Sequence, residues 1–118
     1  MLRVGGKLAG FALISERSKV TGKSGVFDVT EFFVLRRFRR QGVGRAAAFA
    51  AFDRFGGPWE VRQREENSNA TAFWRRTIDE HTRGDYEETR WVRPQWSEIV
   101  QTFSTGSGDG DLPRSASL

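Results

Sequence analysis

The stretch VFDVTEFFVLRRFRRQGVGR, residues 26–45, decides the fold class of this 118-residue chain. In its first ten residues, apolar side chains occur at both odd and even positions, which is the pattern of a central strand covered on both sides. The remainder, Arg36 to Arg45, contains five arginines, no acid and the tripeptide Gly42-Val43-Gly44. A helix N-terminus has free amides and a partial positive charge, and glycines there let a phosphate approach closely. Arginines beside it add bidentate hydrogen-bond donors for the phosphate. We therefore expect a strand, a phosphate-binding loop and a helix, in that order.

Turn residues and periodicity place the other elements. The dipeptide Gly5-Gly6 predicts a β-hairpin between residues 2–4 and 7–14, and the polar residues 15–25 an exposed connection. Apolar spacing then predicts helix, strand, helix, strand and strand, over residues 45–55, 59–62, 67–78, 85–92 and 98–103. This order and the two-sided central strand predict an α/β domain over residues 1–103 with helices above and below the sheet. The Gly/Ser/Asp-rich residues 104–118 predict a disordered tail.

Composition limits the chemistry. The chain has no Cys and a single histidine, His81, so thiolate nucleophiles are excluded and we expect no metal site. No run approaches the ~20 apolar residues of a membrane span, and the first residues lack a signal-peptide pattern, so we expect a cytoplasmic protein without a membrane contact. The net charge of +4 is mild, but the basic loop concentrates positive charge and implies an anionic partner.

The basic loop resembles the acetyl-coenzyme A signature of the GNAT superfamily of N-acetyltransferases, Arg/Gln-x-x-Gly-x-Gly/Ala. Arg39, Gly42 and Gly44 occupy its defining positions, five residues after Val34 at the end of the central strand. The similarity covers about residues 2–103 and is strongest for a bacterial branch of predicted acetyltransferases that carry EFFV, RRxGVGR and a Phe-Trp-Arg helix.

A second segment, from Asn67 through Ala70 to Phe73-Trp74, is similar to the family's other motif, an Asn before a helix that flanks the pantetheine arm. Many family members have a tyrosine at the position of Trp74, which protonates the departing thiolate. An indole cannot do so usefully, so this sequence leaves the general acid open.

The resemblance implies a mixed, mainly antiparallel sheet flanked by helices on both faces. Acetyl-coenzyme A, as co-substrate, would lie between the strands at residues 26–35 and 59–62. The amine of a small molecule or peptide would attack the thioester directly. The implied cofactor contacts are Phe33, Val34, Arg39, Arg40, Gln41, Gly42, Val43, Gly44, Arg45, Asn67, Ala70 and Phe73.

Two carboxylates within the central strand are candidates for the general base that deprotonates the acceptor amine. Glu31 leads because it lies three residues before Val34, close to the expected thioester. Asp28 is the alternative, six residues before that valine and, by strand alternation, on the opposite side of the sheet. A carboxylate in a sheet can equally form a structural ion pair with an arginine.

Related domains begin with a strand and two helices before the hairpin, so the resemblance implies an N-terminally shortened domain. Its acceptor site would be open or completed by another subunit, and a homodimer is a possible arrangement. The alternative function is a non-catalytic module that binds coenzyme A or nucleic acid through the Arg36 to Arg45 loop. Nucleic acid is not the expected partner, because Glu65, Glu66, Glu87 and Glu88 place acids in the other loops.

Overall fold

The computed structural model describes residues 1–39 and 42–106, which form six β-strands and two α-helices. In chain order these are β1 (Leu2–Val4), β2 (Lys7–Arg17), β3 (Ser24–Val34), α1 (Val43–Arg54), β4 (Gly57–Arg64), α2 (Ser68–Thr82), β5 (Glu87–Val92) and β6 (Ser97–Thr105). A 3₁₀ turn at Arg36–Phe38 lies between β3 and α1. The element order expected from the sequence is therefore confirmed.

The six strands form one sheet in the order β1-β2-β3-β4-β6-β5. Every neighbouring pair is antiparallel except β3 and β4, which confirms the mixed, mainly antiparallel sheet. The hairpin between β1 and β2 turns through Gly5 and Gly6, whose φ angles of 57° and 82° are those of a turn that only glycine adopts without strain.

Both helices pack on the same face of the sheet, which corrects the expectation of helices on both faces for the described part of the chain. The ring of Phe52 in α1 lies 5.0 Å from that of Trp59 in β4 and 6.4 Å from that of Trp74 in α2. The topology explains this result. The connections β3-α1-β4 and β4-α2-β5 step across the sheet in the same direction, and right-handed crossovers then place their helices on one side.

A β-bulge in β3 explains why its apolar residues occur at both parities. Glu31 lies opposite Leu13 in β2, whereas the next pair is Val29 with Ile14, so Thr30 is an extra residue in β3. One extra residue reverses the alternation of side chains between the two faces of a strand. The apolar residues at both odd and even positions of β3 therefore reflect this shift of register, while both faces of the strand are covered around Phe27, Asp28 and Val29, which are all buried.

The bulge also moves the two candidate bases relative to each other. Val29 and Phe32 both pack on the helix side, although they are three residues apart. Asp28 and Glu31, which precede them, consequently lie together on the face away from the helices. The expectation that Asp28 and Glu31 face opposite sides of the sheet is wrong.

Large aromatic residues fill the core between the helices and the sheet. Phe52 meets Trp59 and Phe103 edge to face, with centroid distances of 5.0 Å in both pairs, and Trp59 stacks on Phe103. Such pairs contribute about 0.5–1.5 kcal/mol beyond the burial of their area. The indole of Trp59 donates a 2.7 Å hydrogen bond to the carbonyl of Phe55, which fixes the end of α1 against β4.

The connection between β2 and β3 is mostly exposed, as expected for residues 15–25, although residues 15–17 belong to β2 and residues 24–25 to β3. It is attached to the sheet at Ser18. Ser18 is buried, and its hydroxyl donates to one carboxylate oxygen of Glu60 in β4. The amide of Lys19 donates to the other oxygen at 2.9 Å. Glu60 therefore anchors the start of this connection on the face away from the helices.

The last strand continues beyond residue 103. In β6, Ser104 pairs with Pro58 and Thr105 with Gly57, so the first two residues of the expected tail belong to the sheet. Residues 107–118 lie outside the described residues. Within the described part of the chain, no helix is long and apolar enough to cross a membrane.

Candidate active site

A cleft opens where β3 and β4 diverge. Their parallel pairing, within the described residues, comprises only Phe27 with Trp59 and Asp28 with Glu60. Beyond these pairs the strands enclose a cavity of about 250 Å³. The cavity is lined by Val29, Thr30, Glu31, Phe32, Val61, Arg62, Gln63, Arg64, Asn67, Ala70, Trp74 and Glu98. The expected gap between the two strands is thus present, and Glu31, Asn67 and Ala70 border it.

Glu31 is exposed at the β3 side of the cleft. Among residues 1–39 and 42–106, no arginine or lysine forms an ion pair with it. The interpretation of Glu31 as a structural ion-pair partner therefore has no support in the described structure.

Asp28 is completely buried and held by an arginine. The Nε of Arg62 lies 3.1 Å from its Oδ1, and the hydroxyl of Thr30 donates to its Oδ2 at 2.9 Å. Burial alone would raise the pKa of Asp28, but hydrogen bonds from Arg62 and Glu60, with the positive charge of Arg62, lower it overall. A carboxylate that is ionised, buried and hydrogen-bonded at both oxygens is poorly suited to accept a proton.

A second buried carboxyl lies beside Asp28. Burial raises the pKa of Glu60, and the neighbouring charge of Asp28 adds to this effect, while the hydrogen bonds from Ser18 and Lys19 oppose it. Arg62 also contacts Glu98 of β6, with 3.2 Å between Nη1 and Oε2. These four residues, Asp28, Glu60, Arg62 and Glu98, are called the buried charge cluster below.

The N-terminus of α1 lies beyond the end of β3. Gly42 precedes the helix with a φ of 76° and offers no side-chain cap, and within residues 1–39 and 42–106 the first helical amides have no acceptor. Gly44 allows α1 to approach closely, because a Cβ there would lie 3.2 Å from the ring of Phe73 and 3.6 Å from a methyl group of Val34. The glycines therefore keep this helix end uncapped and close to β3 and α2.

Arg39 of the basic loop is engaged within the protein. The Nε of Arg39 donates to the carbonyl of Val34 at 2.9 Å, and its guanidinium lies 5.7 Å from the ring of Phe33. Arg40 and Gln41, expected to contact the cofactor, lie outside the described residues. The guanidinium of Arg39 is thus not extended toward the N-terminus of α1.

Arg45, in the first turn of α1, is directed toward α2. Its Nε lies 3.2 Å from Oε2 of Glu80, and its guanidinium lies 4.4 Å from the ring of Phe49. The pair is about half exposed and contributes little to stability. An anion at the helix N-terminus would compete with Glu80 for this arginine.

The model of the family described as "Acetyltransferase (GNAT) family" matches residues 1–79 of this chain, which include Gly42 and Gly44, most of α2 and every lining residue of the cleft except Glu98. This chain belongs to the GNAT acetyltransferase family. The fold agrees with the ribosomal-protein-S18-alanine N-acetyltransferase from Escherichia coli, with a TM-score of 0.60 and 17% identity over 94% of this chain and 70% of that chain. No curated protein matches the chain. Family and fold together support acetyl transfer, for which GNAT enzymes use acetyl-coenzyme A as co-substrate.

In this GNAT domain, α2 forms the apolar wall of the cleft. Asn67 caps the helix by accepting the amide of Ala70 at 3.2 Å, so its side-chain oxygen is already used. Trp74 is buried and lies edge to face against Phe32, with 4.9 Å between ring centroids. The indole at the position of the family's tyrosine therefore serves as wall and core.

Sequence reasoning missed most of the buried charge cluster in this GNAT domain. The signal was present in Trp59-Glu60-Val61-Arg62, where alternation places two charged residues together on one face of an internal strand. Charges at such positions are buried and need partners. The partner of Arg62, however, lies 34 residues earlier in the chain, so no local pattern identifies it.

Proposed function

We propose that this domain transfers an acetyl group from acetyl-coenzyme A to a primary amine, with the pyrophosphate bound at the N-terminus of α1. The observation that supports this most directly is the position of the uncapped helix end. Gly44 lies so near Val34 at the end of β3 and Phe73 of α2 that an added Cβ would meet both, and β3 and α2 are the two elements that form walls of the cleft. A ligand with phosphates at one end and a reactive thioester at the other fits such a shape.

The free amides of the first turn of α1 would bind the pyrophosphate, since a helix N-terminus combines donors with a partial positive charge. Gly42 leaves room for this approach, because nothing lies within 4 Å of the point that a Cβ would occupy there. The pantetheine arm would follow the cleft past Ala70 and Phe73, with the backbone of Phe33 and Val34 on the opposite wall. Of the described residues expected to contact the arm, this assignment keeps Phe33, Val34, Ala70 and Phe73. It omits Asn67, whose side-chain oxygen caps α2.

Glu31 would act as the general base. An acceptor ammonium must lose a proton to Glu31, directly or through water, before its nitrogen can attack the carbonyl carbon of the thioester. The new C–N bond forms, the C–S bond breaks, and coenzyme A leaves as a thiolate that takes a proton from solvent or from the acceptor nitrogen. Asp28 would support β3 through Arg62 and take no part in proton transfer.

The test compares two glycines that have the same backbone φ angle. Gly42 and Gly22 both have a φ of 76° and both have open space at the Cβ position, but Gly22 lies in the connection between β2 and β3. Gly42→Glu and Gly22→Glu therefore impose similar backbone strain and the same charge. We expect calorimetry with acetyl-coenzyme A to show no binding for Gly42→Glu and wild-type affinity for Gly22→Glu.

Wild-type binding should also weaken as salt is added, because the interaction with the phosphates is electrostatic. Unchanged affinity in Gly42→Glu together with salt-independent binding would show that the phosphate site is wrongly assigned. A non-catalytic coenzyme A-binding module predicts the same binding results. Release of free thiol from acetyl-coenzyme A on addition of an amine separates the enzyme from that alternative.

A further inference from the structure

Three apolar side chains lie beside Glu31 on the face of the sheet away from the helices. Leu13 of β2 pairs with Glu31 of β3, and Phe11 pairs with Phe33. Directly opposed residues of antiparallel strands project to the same face, with Cβ atoms about 4.5–5.5 Å apart. Phe33 follows Glu31 by two residues and therefore shares its face. Phe11, Leu13 and Phe33, called the apolar block below, thus border the candidate base directly.

The apolar block is open to solvent in the described structure. Phe11 is 38% exposed, Phe33 40% and Leu13 54%. The rings of Phe11 and Phe33 lie together, with 5.9 Å between their centroids. A sheet face that meets only water normally carries polar side chains at such positions. Contiguous apolar side chains on this face therefore indicate a surface that a ligand covers.

The charges at its two ends give the apolar block a direction. Glu31, which lines the cleft, lies at one end. Beyond Phe33, the guanidinium of Arg39 lies 5.7 Å from the phenyl ring and bonds the carbonyl of Val34. An ammonium is attracted to Glu31 and repelled by Arg39. An amine on the apolar block therefore places its nitrogen at the cleft and its uncharged part on the rings.

The apolar block also lies on the side that the proposed cofactor leaves open. Phe32 packs against Phe73 and Trp74 of α2, with ring centroids 6.0 and 4.9 Å away, so Phe33 projects to the opposite side. The pantetheine arm would follow α2 past Phe73. An acceptor on the apolar block would then approach the thioester from the other face of the sheet.

We propose that Phe11, Leu13 and Phe33 form an acceptor subsite for an apolar group carried by the small primary amine that is acetylated. The inference rests on the proposed function and narrows its acceptor from any primary amine to one with an apolar substituent within a few atoms of its nitrogen. Glu31 binds the ammonium, and the apolar block removes one side of the substituent from water.

Straight-chain amines from propylamine to hexylamine test this subsite, at saturating acetyl-coenzyme A and with the full chain. These amines have nearly the same ammonium pKa, so chain length is the variable. Complete burial of a methylene group changes a binding constant about fourfold, and the apolar block covers only one side of the chain. We therefore expect KM to fall roughly twofold for each added methylene. Equal KM values across the series would overturn the subsite, even if every amine is acetylated.

Leu13→Thr and Phe11→Thr should each weaken this dependence on chain length and leave the affinity for acetyl-coenzyme A unchanged. Threonine favours strands and both side chains are exposed, so the thermal midpoints should stay near that of the wild type. Val92→Thr is the matched control, because it removes an exposed apolar side chain from β5 at the opposite edge of the sheet. An undiminished dependence in Leu13→Thr and Phe11→Thr would exclude the apolar block from the acceptor site.

A second measurement does not depend on turnover. The methyl signals of Leu13, recorded by NMR with coenzyme A bound, should shift saturably with hexylamine and much less with propylamine at the same concentration. Saturable shifts without any acetylation would refute the proposed catalysis while supporting the subsite. Acetylation of hexylamine without a shift at Leu13 would support catalysis and refute the subsite.

A second copy of the chain is the competing occupant of the apolar block. Such a dimer would dissociate in Leu13→Thr, because the substitution removes apolar area from the interface. We expect equilibrium sedimentation to give the same mass for the wild type and Leu13→Thr. A wild-type dimer that becomes a monomer in Leu13→Thr would assign the apolar block to the second copy and overturn the subsite.

Discussion

Glu31→Gln and Asp28→Asn should separate catalysis from stability, although the two carboxylates lie three residues apart on the same face of β3. Glu31 is exposed at the cleft and has no ion-pair partner among the described residues. Asp28 is fully buried and ion-paired with Arg62. We expect the first substitution to slow acetylation and the second to destabilise the fold.

The structure sets the size of each effect. Removing one member of a buried ion pair typically costs about 3–5 kcal/mol. Arg62 retains contacts with Glu98 at 3.2 Å and Glu60 at 3.6 Å, and an asparagine keeps one acceptor oxygen. We therefore expect Asp28→Asn to lower the free energy of unfolding by about 2–3 kcal/mol, below that range. Glu31→Gln should change it by less than about 0.5 kcal/mol, as for other surface substitutions.

The expected loss of turnover in Glu31→Gln is about 10²-fold or more, the lower end of general-base catalysis, with acetyl-coenzyme A binding intact. Stability is measured by urea unfolding, and kcat by release of free thiol at a temperature where every variant is folded. Glu87→Gln, an exposed change on β5, is the control for loss of one negative charge. Normal turnover in Glu31→Gln with a collapse in folded Asp28→Asn would refute the reasoning and make Asp28 the base.

Two further predictions concern stability. Burial raises the pKa of Glu60 above its usual 4.5, so Glu60 keeps its proton to higher pH in the folded state and its contribution to stability falls as the pH rises above 4.5. The free-energy difference between Glu60→Gln and wild type should accordingly shift in favour of the glutamine between pH 4.5 and 8 in urea titrations; a constant difference contradicts this account. Truncation after Gly106 should leave the thermal midpoint nearly unchanged, whereas truncation after Phe103 should lower it, because Thr105 pairs with Gly57 and donates to the carbonyl of Phe55. Equal midpoints for the two truncations would show that these last pairs of β6 add nothing.

The sequence predicted the order of elements because local signals define them. Gly5-Gly6 predicts the first turn, and the glycines at 42 and 44 predict the start of α1, since each meets a backbone or packing requirement that side chains obstruct. The faces were predicted less well. Apolar residues at both parities fit either a strand covered on both sides or a strand with a bulge, and only pairing with β2 shows that Thr30 is the extra residue.

The site was predictable where chemistry is carried by the backbone and less so where it depends on side-chain partners. The sequence placed Glu31 at the gap between β3 and β4, which it lines, but did not indicate that Arg39 bonds the carbonyl of Val34. It also did not indicate that Asn67 caps α2. Each of these side chains can bond a nearby backbone group instead of a ligand, and the sequence does not show which of the two it bonds.

The two walls of the cleft have opposite character, and this follows from where the charges are buried. On the helix side, Trp74 and Ala70 join the aromatic core and make an apolar wall. On the other side, Arg62 bridges Asp28 and Glu98 just beyond the last pairing of β3 with β4. Burying such a cluster adds little net stability, but its charged groups would lose their partners if the strands shifted register. In the proposed reaction, the aliphatic arm of the cofactor would lie along the apolar wall and the acceptor along the charged wall, so that the two reactants would meet from opposite sides.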